Sequence, residues 1–333
     1  MVTRSLAAIA LLLFVDSTPG LAGEESCARR TVPVVVLDGT ARPRGGLTPS
    51  DFRAEVKGKP IQIVSVSLDS SPHRIVVVLD SSGSMNMDED EWKLAESLAE
   101  EAMSSTPAQF QAGLIVFNDK VRERVPVGSD PNAALQILRG LPARPHRDDP
   151  STGRKTAIMD ALIAATKLMD PPQFGDSVFL ITDGEDNESN EQLTAIRDAF
   201  GERGVRLFTE WFGYEFASHP ATIELFGVND FLEFARSTGG LMARVPPPEH
   251  SLRPMPKYSQ LKAEQLNRIH ADAQILLSAI QHPYRVELAL PEPIKKREKW
   301  QLSIPMAKET APRWVVAYPA RLEGCTNSAA KPN

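Results

Sequence analysis

Five oxygen-bearing side chains stand where this chain could gather them around one divalent cation. Asp80, Ser82 and Ser84 form a D-x-S-x-S stretch, Asp80-Ser81-Ser82-Gly83-Ser84, and Gly83 permits a tight turn between the two outer serines. Thr156 follows Gly153-Arg154-Lys155, and Asp183 follows Ile181-Thr182 and precedes Gly184. All five are hard donors with no Cys or His among them, a set that suits Mg2+ or Mn2+. Two carboxylates balance the ion's charge, and three hydroxyls add donors without charge. An octahedral ion then keeps at least one position for water or an external ligand. Each fragment alone has an ordinary use: an Asx-turn or helix N-cap at Asp80-Ser81-Ser82, an N-cap at Thr156, a turn at Asp183-Gly184. It is their joint order along the chain that favours metal.

The apolar pattern supplies elements to carry them. Ile75 to Leu79 is a continuous apolar run, as expected of a parallel strand buried on both faces, and Asp80 follows it directly. Residues 88–104 read as an amphipathic helix whose first turn, Asp88 to Glu91, is acidic. Strands at Leu114 to Phe117 and Val121 to Val127 come next, the second as an edge strand returning from Asn118-Asp119. Helices at 131–139 and 156–169, strand 177–182, helix 190–202, strand 205–212, a helix near 228–237, strand 241–245 and helix 258–281 continue the alternation. Such alternation predicts a parallel sheet with helices on both faces, and ligands bind beyond the carboxyl ends of such strands. Asp80 and Asp183 are both expected there.

Both flanks are β-rich. Val34 to Leu37, Phe52 to Val56 and Ile61 to Leu68 lie before the alternation, and Tyr284 to Leu290, Trp300 to Ile304 and Trp314 to Tyr318 lie after it. Neither piece is long enough for its own core, so the two are expected to pair into one small sandwich. The expected fold class is therefore α/β: a doubly wound, mostly parallel sheet flanked by a small β-rich domain built from both chain ends. The expected division is 1–22 leader, 23–71 β-rich, 72–281 α/β, 282–326 β-rich and 327–333 tail.

The ends also speak to compartment. Arg4, the ten-residue apolar run Leu6 to Val15 and Pro19-Gly20-Leu21-Ala22 have the order of a secretory signal peptide cleaved after Ala22. The run is short of the roughly 20 residues of a spanning helix. The mature chain is thus expected to be exported, periplasmic or extracellular, with no integral membrane segment. The two cysteines, Cys27 and Cys325, are an even count near opposite ends and are expected to pair there; two free thiols are the alternative. A formal net charge of −6 offers no basic field, which argues against a nucleic-acid partner. The six histidines show no zinc-protease spacing and read as surface residues.

With these residues in place, 72–281 resembles the von Willebrand factor A domain, whose metal-ion-dependent adhesion site uses a D-x-S-x-S loop, a Thr and an Asp. The matching positions are Asp80, Ser82, Ser84, Thr156 and Asp183. Leu47-Thr48-Pro49-Ser50-Asp51-Phe52, Val56-Lys57-Gly58-Lys59-Pro60 and Tyr284-Arg285-Val286 are similar to secreted bacterial VWFA-related proteins. The resemblance implies a sheet with one antiparallel edge strand. It also implies an adhesion-type module whose ion accepts a Glu or Asp carboxylate from a protein partner. Arg154 and Lys155 stand where such proteins usually have small residues; two cations there would either repel the ion or help hold an acidic ligand from the rim, with Glu185 and Asp186 nearby to offset them. Asp160, one turn past Thr156, suits either a support of the site or a solvated helix position. A structural envelope protein with a stabilising metal is the alternative function, and a metal-dependent hydrolase ranks below it. No Gly-x-Ser-x-Gly elbow, P-loop or second nucleophile accompanies the five donors, and the reading is non-enzymatic.

Overall fold

A computed structural model describes residues 27–85, 89–104, 110–141, 155–184, 186–212, 228–245, 261–309 and 313–325. The expected leader, Arg154 and the tail lie outside these.

Six strands form the central sheet: β4 (His73–Asp80), β5 (Phe110–Phe117), β6 (Val121–Val125), β7 (Ser177–Thr182), β8 (Arg206–Trp211) and β9 (Met242–Arg244). Their order is β6-β5-β4-β7-β8-β9; all neighbours are parallel except β6, which runs antiparallel at one edge. Every residue of β4, β7 and β8 is buried, which explains the apolar runs Ile75 to Leu79 and Val178 to Ile181; β8 is equally buried although it carries Arg206, Thr209 and Glu210. Helices α1 (Glu89–Ser104), α2 (Pro131–Gly140) and α6 (Ala263–Gln281) cover one face, where Leu98, Leu138, Ile269 and Leu276 meet Val77 and Phe179. Helices α3 (Ile158–Leu168), α4 (Leu193–Arg203) and α5 (Val228–Ser237) cover the other, where Leu162, Phe200 and Phe234 meet Val78 and Leu180. The chain leaves β4 toward one edge and returns to β7 on its other side. The strand order therefore reverses between β4 and β7, which opens a crevice at their carboxyl ends.

Seven antiparallel strands form the second sheet. They are β1 (Arg29–Leu37), β2 (Arg53–Val56), β3 (Lys59–Leu68), β10 (Tyr284–Ala289), β11 (Glu298–Ser303), β12 (Val315–Ala317) and β13 (Arg321–Leu322). A short helix, α7 (Pro305–Glu309), links β11 to β12. The order β12-β1-β10-β3-β2-β11-β13 interleaves the two ends of the chain, as expected. It is one continuous sheet, however, where two sheets of a sandwich were expected. The reason lies in β1, which alternates between two cores. Val32, Val34 and Val36 pack with Tyr284, Val286 and Leu302, whereas Val35 and Leu37 join Ile269 and Leu276 of α6. The α/β domain thus covers the face that a second sheet would have covered. The Lys57-Gly58 turn between β2 and β3 has positive φ at both residues, 53° and 74°, the pattern of a tight hairpin. A Cys27–Cys325 disulfide ties the ends, with Cα atoms 5.6 Å apart.

Candidate metal centre

Asp80 ends β4 and is completely buried at the crevice between β4 and β7. Its Oδ1 accepts the Ser82 N–H at 2.9 Å, which curls the D-x-S-x-S loop back on itself. Ser82 Oγ and Ser84 Oγ then lie 3.1 Å apart. Ser81 points the other way: its N–H and its hydroxyl both donate to the Phe117 carbonyl, at 2.7 and 2.8 Å. This serine staples the loop to the end of β5, while the Ser82 and Ser84 hydroxyls meet each other.

Thr156 is buried and precedes α3, whose N-cap is Ala157. Its hydroxyl is therefore not spent on capping the helix. The Ala157 N–H donates to the Asn118 carbonyl at 2.7 Å, fixing the segment to the end of β5. The Thr156 carbonyl accepts the N–H groups of Asn187 and Glu188, and its own N–H donates to Asn187 Oδ1 at 3.0 Å. Thr156 is thus laced to the loop that follows Asp183. That loop also caps α3: the Met159 N–H donates to Asp186 Oδ2 and to Ser189 Oγ, each at 3.0 Å. Asp160 accepts the N–H groups of Asn190 and Glu191 at 3.1 Å, so its role is to hold this loop. Sequence reasoning missed Asn187 and Ser189, which carry no spacing signal of their own, and read Asp186 only as a charge near the rim, not as a cap of α3.

Thr182 was also passed over as a site residue, although it stands beside Asp183. Its hydroxyl donates to Asp80 Oδ2 at 2.6 Å and accepts the Gly184 N–H at 3.1 Å, joining the two acidic loops. Desolvation raises the Asp80 pKa first, and the Asp183 charge adds to it; together they push Asp80 up to about 8. Among the described residues no cationic side chain pairs with Asp80 to offset this. Nor does any group of three or more His, Cys, Asp or Glu suit a metal among them. The donor set is two acids completed by hydroxyls, one acid held at high energy for want of positive charge. That is the arrangement a hard divalent cation relieves.

Of the two rim cations only Lys155 is among the described residues. Lys155 forms an ion pair with Glu188 at 2.8 Å, both half exposed. The loop that laces Thr156 also delivers Glu188 beside it, so the Lys155 charge at the rim is shared with a carboxylate. Gly184 sits in the left-handed region at φ 88°, and a Cβ there would come 2.6 Å from Trp211 Nε1. Gly184→Ala is expected to displace the Asp183 loop and weaken Mg2+ binding at least about tenfold, the scale of losing support for a ligand. Calorimetric titration checks this; unchanged affinity in a folded variant shows that the glycine does not set the ligand position.

Fold and site together describe a doubly wound α/β domain with hydroxyls and carboxylates gathered at its strand-order reversal. Residues 75–185, which span all five donors, match the family model of the von Willebrand factor type A domain, and the chain carries such a domain. No curated protein matches it. Among solved structures, an aerotolerance-related membrane protein from Bacteroides fragilis is 18% identical, covering 60% of this chain and 98% of its own, with a TM-score of 0.42. A von Willebrand factor type A protein from Catenulispora acidiphila is 10% identical over 88% of this chain and 72% of its own, with a TM-score of 0.45. Proximal thread matrix protein 1 from the mussel byssus, with a zinc-occupied MIDAS motif, is 16% identical. It covers 66% of this chain and 48% of its own, with a TM-score of 0.46.

Proposed function

We propose that this chain is an exported, metal-dependent protein-binding module of the adhesion type. Mg2+ or Mn2+ would be held by Asp80, Ser82, Ser84, Thr156 and Asp183, and would supply a Lewis-acidic position for a Glu or Asp carboxylate of a partner. The observation that carries this reading is a wholly buried Asp80 facing the charge of Asp183, beside the Ser82 and Ser84 hydroxyls, at the sheet's strand-order reversal. Two carboxylates and three hydroxyls do not saturate an octahedral ion once waters are counted as exchangeable, so an external oxygen can enter. The disulfide and the leader-like N-terminus support export. Among the described residues no helix is long and apolar enough to cross a membrane.

The test is capture from envelope extract on immobilised mature chain, with Mg2+ or with EDTA, followed by titration of any purified partner. EDTA or Thr156→Ala is expected to reduce affinity at least tens-fold, and replacing the partner's acidic residue should do the same. A partner that binds equally well without metal refutes the adhesion reading.

A further inference from the structure

Four side chains form one row across the carboxyl edge of the sheet. Thr182 pairs with Trp211 and Trp211 with Arg244, while Asp80, next strand over, is bonded to Thr182. Trp211 is only 3% exposed, and its Nε1 is buried with no hydrogen-bond partner among the described residues. A buried donor left unpaired is costly, and each one in a folded chain calls for a reason. Trp211 has a specific position: its Nε1 lies against Gly184, close enough that a Cβ there would be 2.6 Å away. Gly184 is in turn held by Thr182 and follows Asp183 directly. On its other side the indole is covered by the Arg244 guanidinium, 5.2 Å from the ring centroid, which restrains its tilt. The indole N–H is thus a rigidly placed donor beside the turn that carries a metal ligand.

We propose that Trp211 is a positioning residue of the cation site, its indole N–H donating to the Asp183 carboxylate when an ion is bound. This rests on the metal-binding reading above. Ligating carboxylates depend on such outer hydrogen bonds for orientation, and their loss typically costs 10–100-fold in metal affinity. A packing role alone predicts something different, because phenylalanine keeps the aromatic face while removing the donor.

The experiment uses the full mature chain. Calorimetric titration with Mg2+ compares wild type with Trp211→Phe, and 15N-resolved indole spectra follow the tryptophan N–H signals during the same titration. Expected are an affinity loss of about 10–100-fold in Trp211→Phe, and a wild-type indole signal that moves downfield and exchanges more slowly at saturating Mg2+. That signal is assigned to Trp211 by its absence from the variant. Equal affinity in a folded Trp211→Phe, with wild type binding Mg2+ normally, overturns the proposal and leaves the metal site standing. An indole signal of Trp211 that does not move overturns it too; should Trp211→Phe fail to fold, the signal is assigned instead as the one that single Trp→Phe changes at the other three tryptophans fail to remove. A wild-type chain that takes up no ion overturns the metal site and the proposal together.

Discussion

Asp80→Ala is expected to abolish measurable Mg2+ binding, Asp183→Ala to come close to doing so, and Ser82→Ala to leave a weakened but titratable site. The order follows from charge. Each aspartate supplies half of the negative charge facing the ion, whereas a serine supplies one neutral donor. Asp80 ranks first because it is fully buried and cannot be replaced by bulk water without opening the crevice. The same burial gives the prediction a second, opposite arm. Without metal, desolvation and then the neighbouring Asp183 raise Asp80 to about 8, above its ordinary 3.8. The folded, metal-free chain therefore binds a proton that the unfolded chain has already released. Its stability contribution is fully present below about pH 4 and is lost as pH rises toward 8. Asp80→Asn should flatten that decline and make the metal-free protein more stable at neutral pH, while destroying metal binding. Mg2+ uptake by wild type should tighten as pH rises to about 8 and release protons. Titrations at several pH values, with urea melts of wild type and Asp80→Asn in EDTA, test both arms. Metal affinity retained in Asp80→Ala removes the site from this loop altogether.

The largest expected loss of stability lies at the opposite end of β4, at Arg74. Its Nε and Nη2 donate to the two oxygens of Asp176 at 2.8 and 2.6 Å. Nη2 also donates to the carbonyls of Met169 and Pro171. Both side chains are nearly inaccessible, 7% and 0% exposed. Asp176 further accepts the Gln173 N–H at 2.8 Å, so the pair organises the whole connection from α3 into β7. Removing one partner leaves a buried charge uncompensated, and Arg74→Ala or Asp176→Ala should cost about 3–5 kcal/mol. That corresponds to a thermal midpoint lower by roughly 10 °C in a domain of this size. Replacing both residues with apolar ones of similar volume should recover much of the loss, because the pair's own desolvation cost disappears with it. Urea unfolding of the single and double variants checks this. A single variant within about 1 kcal/mol of wild type would mean that water reaches the pair. Mg2+ affinity in the folded fraction should stay close to wild type, since six residues of strand, about 20 Å, separate Arg74 from Asp80.

Much of this molecule could be read from one sequence because the governing signals are local. Ile75 to Leu79 is apolar throughout since both faces of β4 are covered, and the acidic loop that follows it announces the carboxyl edge. The antiparallel β6 edge and the pairing of the two chain ends, Cys27 with Cys325 included, also matched their patterns. The five candidate donors were legible as residue types in order, since they stand at the ends of elements that the apolar pattern marks.

Contacts between distant segments decided the rest. Thr182 reaches Asp80 across 102 residues, and Asn187 reaches Thr156 across 31. Neither distance leaves a trace in periodicity. Lys155 reads in sequence as a rim cation, and only the folded loop sets Glu188 beside it. Trp211 reads in sequence as one more apolar strand residue; only the register of β7 with β8 sets its indole against Gly184. The flanking strands carry the alternation of a half-covered sheet, but alternation names no covering partner. Hydrophobic burial is non-directional, so a second sheet and helix α6 satisfy β1 equally well in the sequence, and only the folded chain places Val35 and Leu37 on α6.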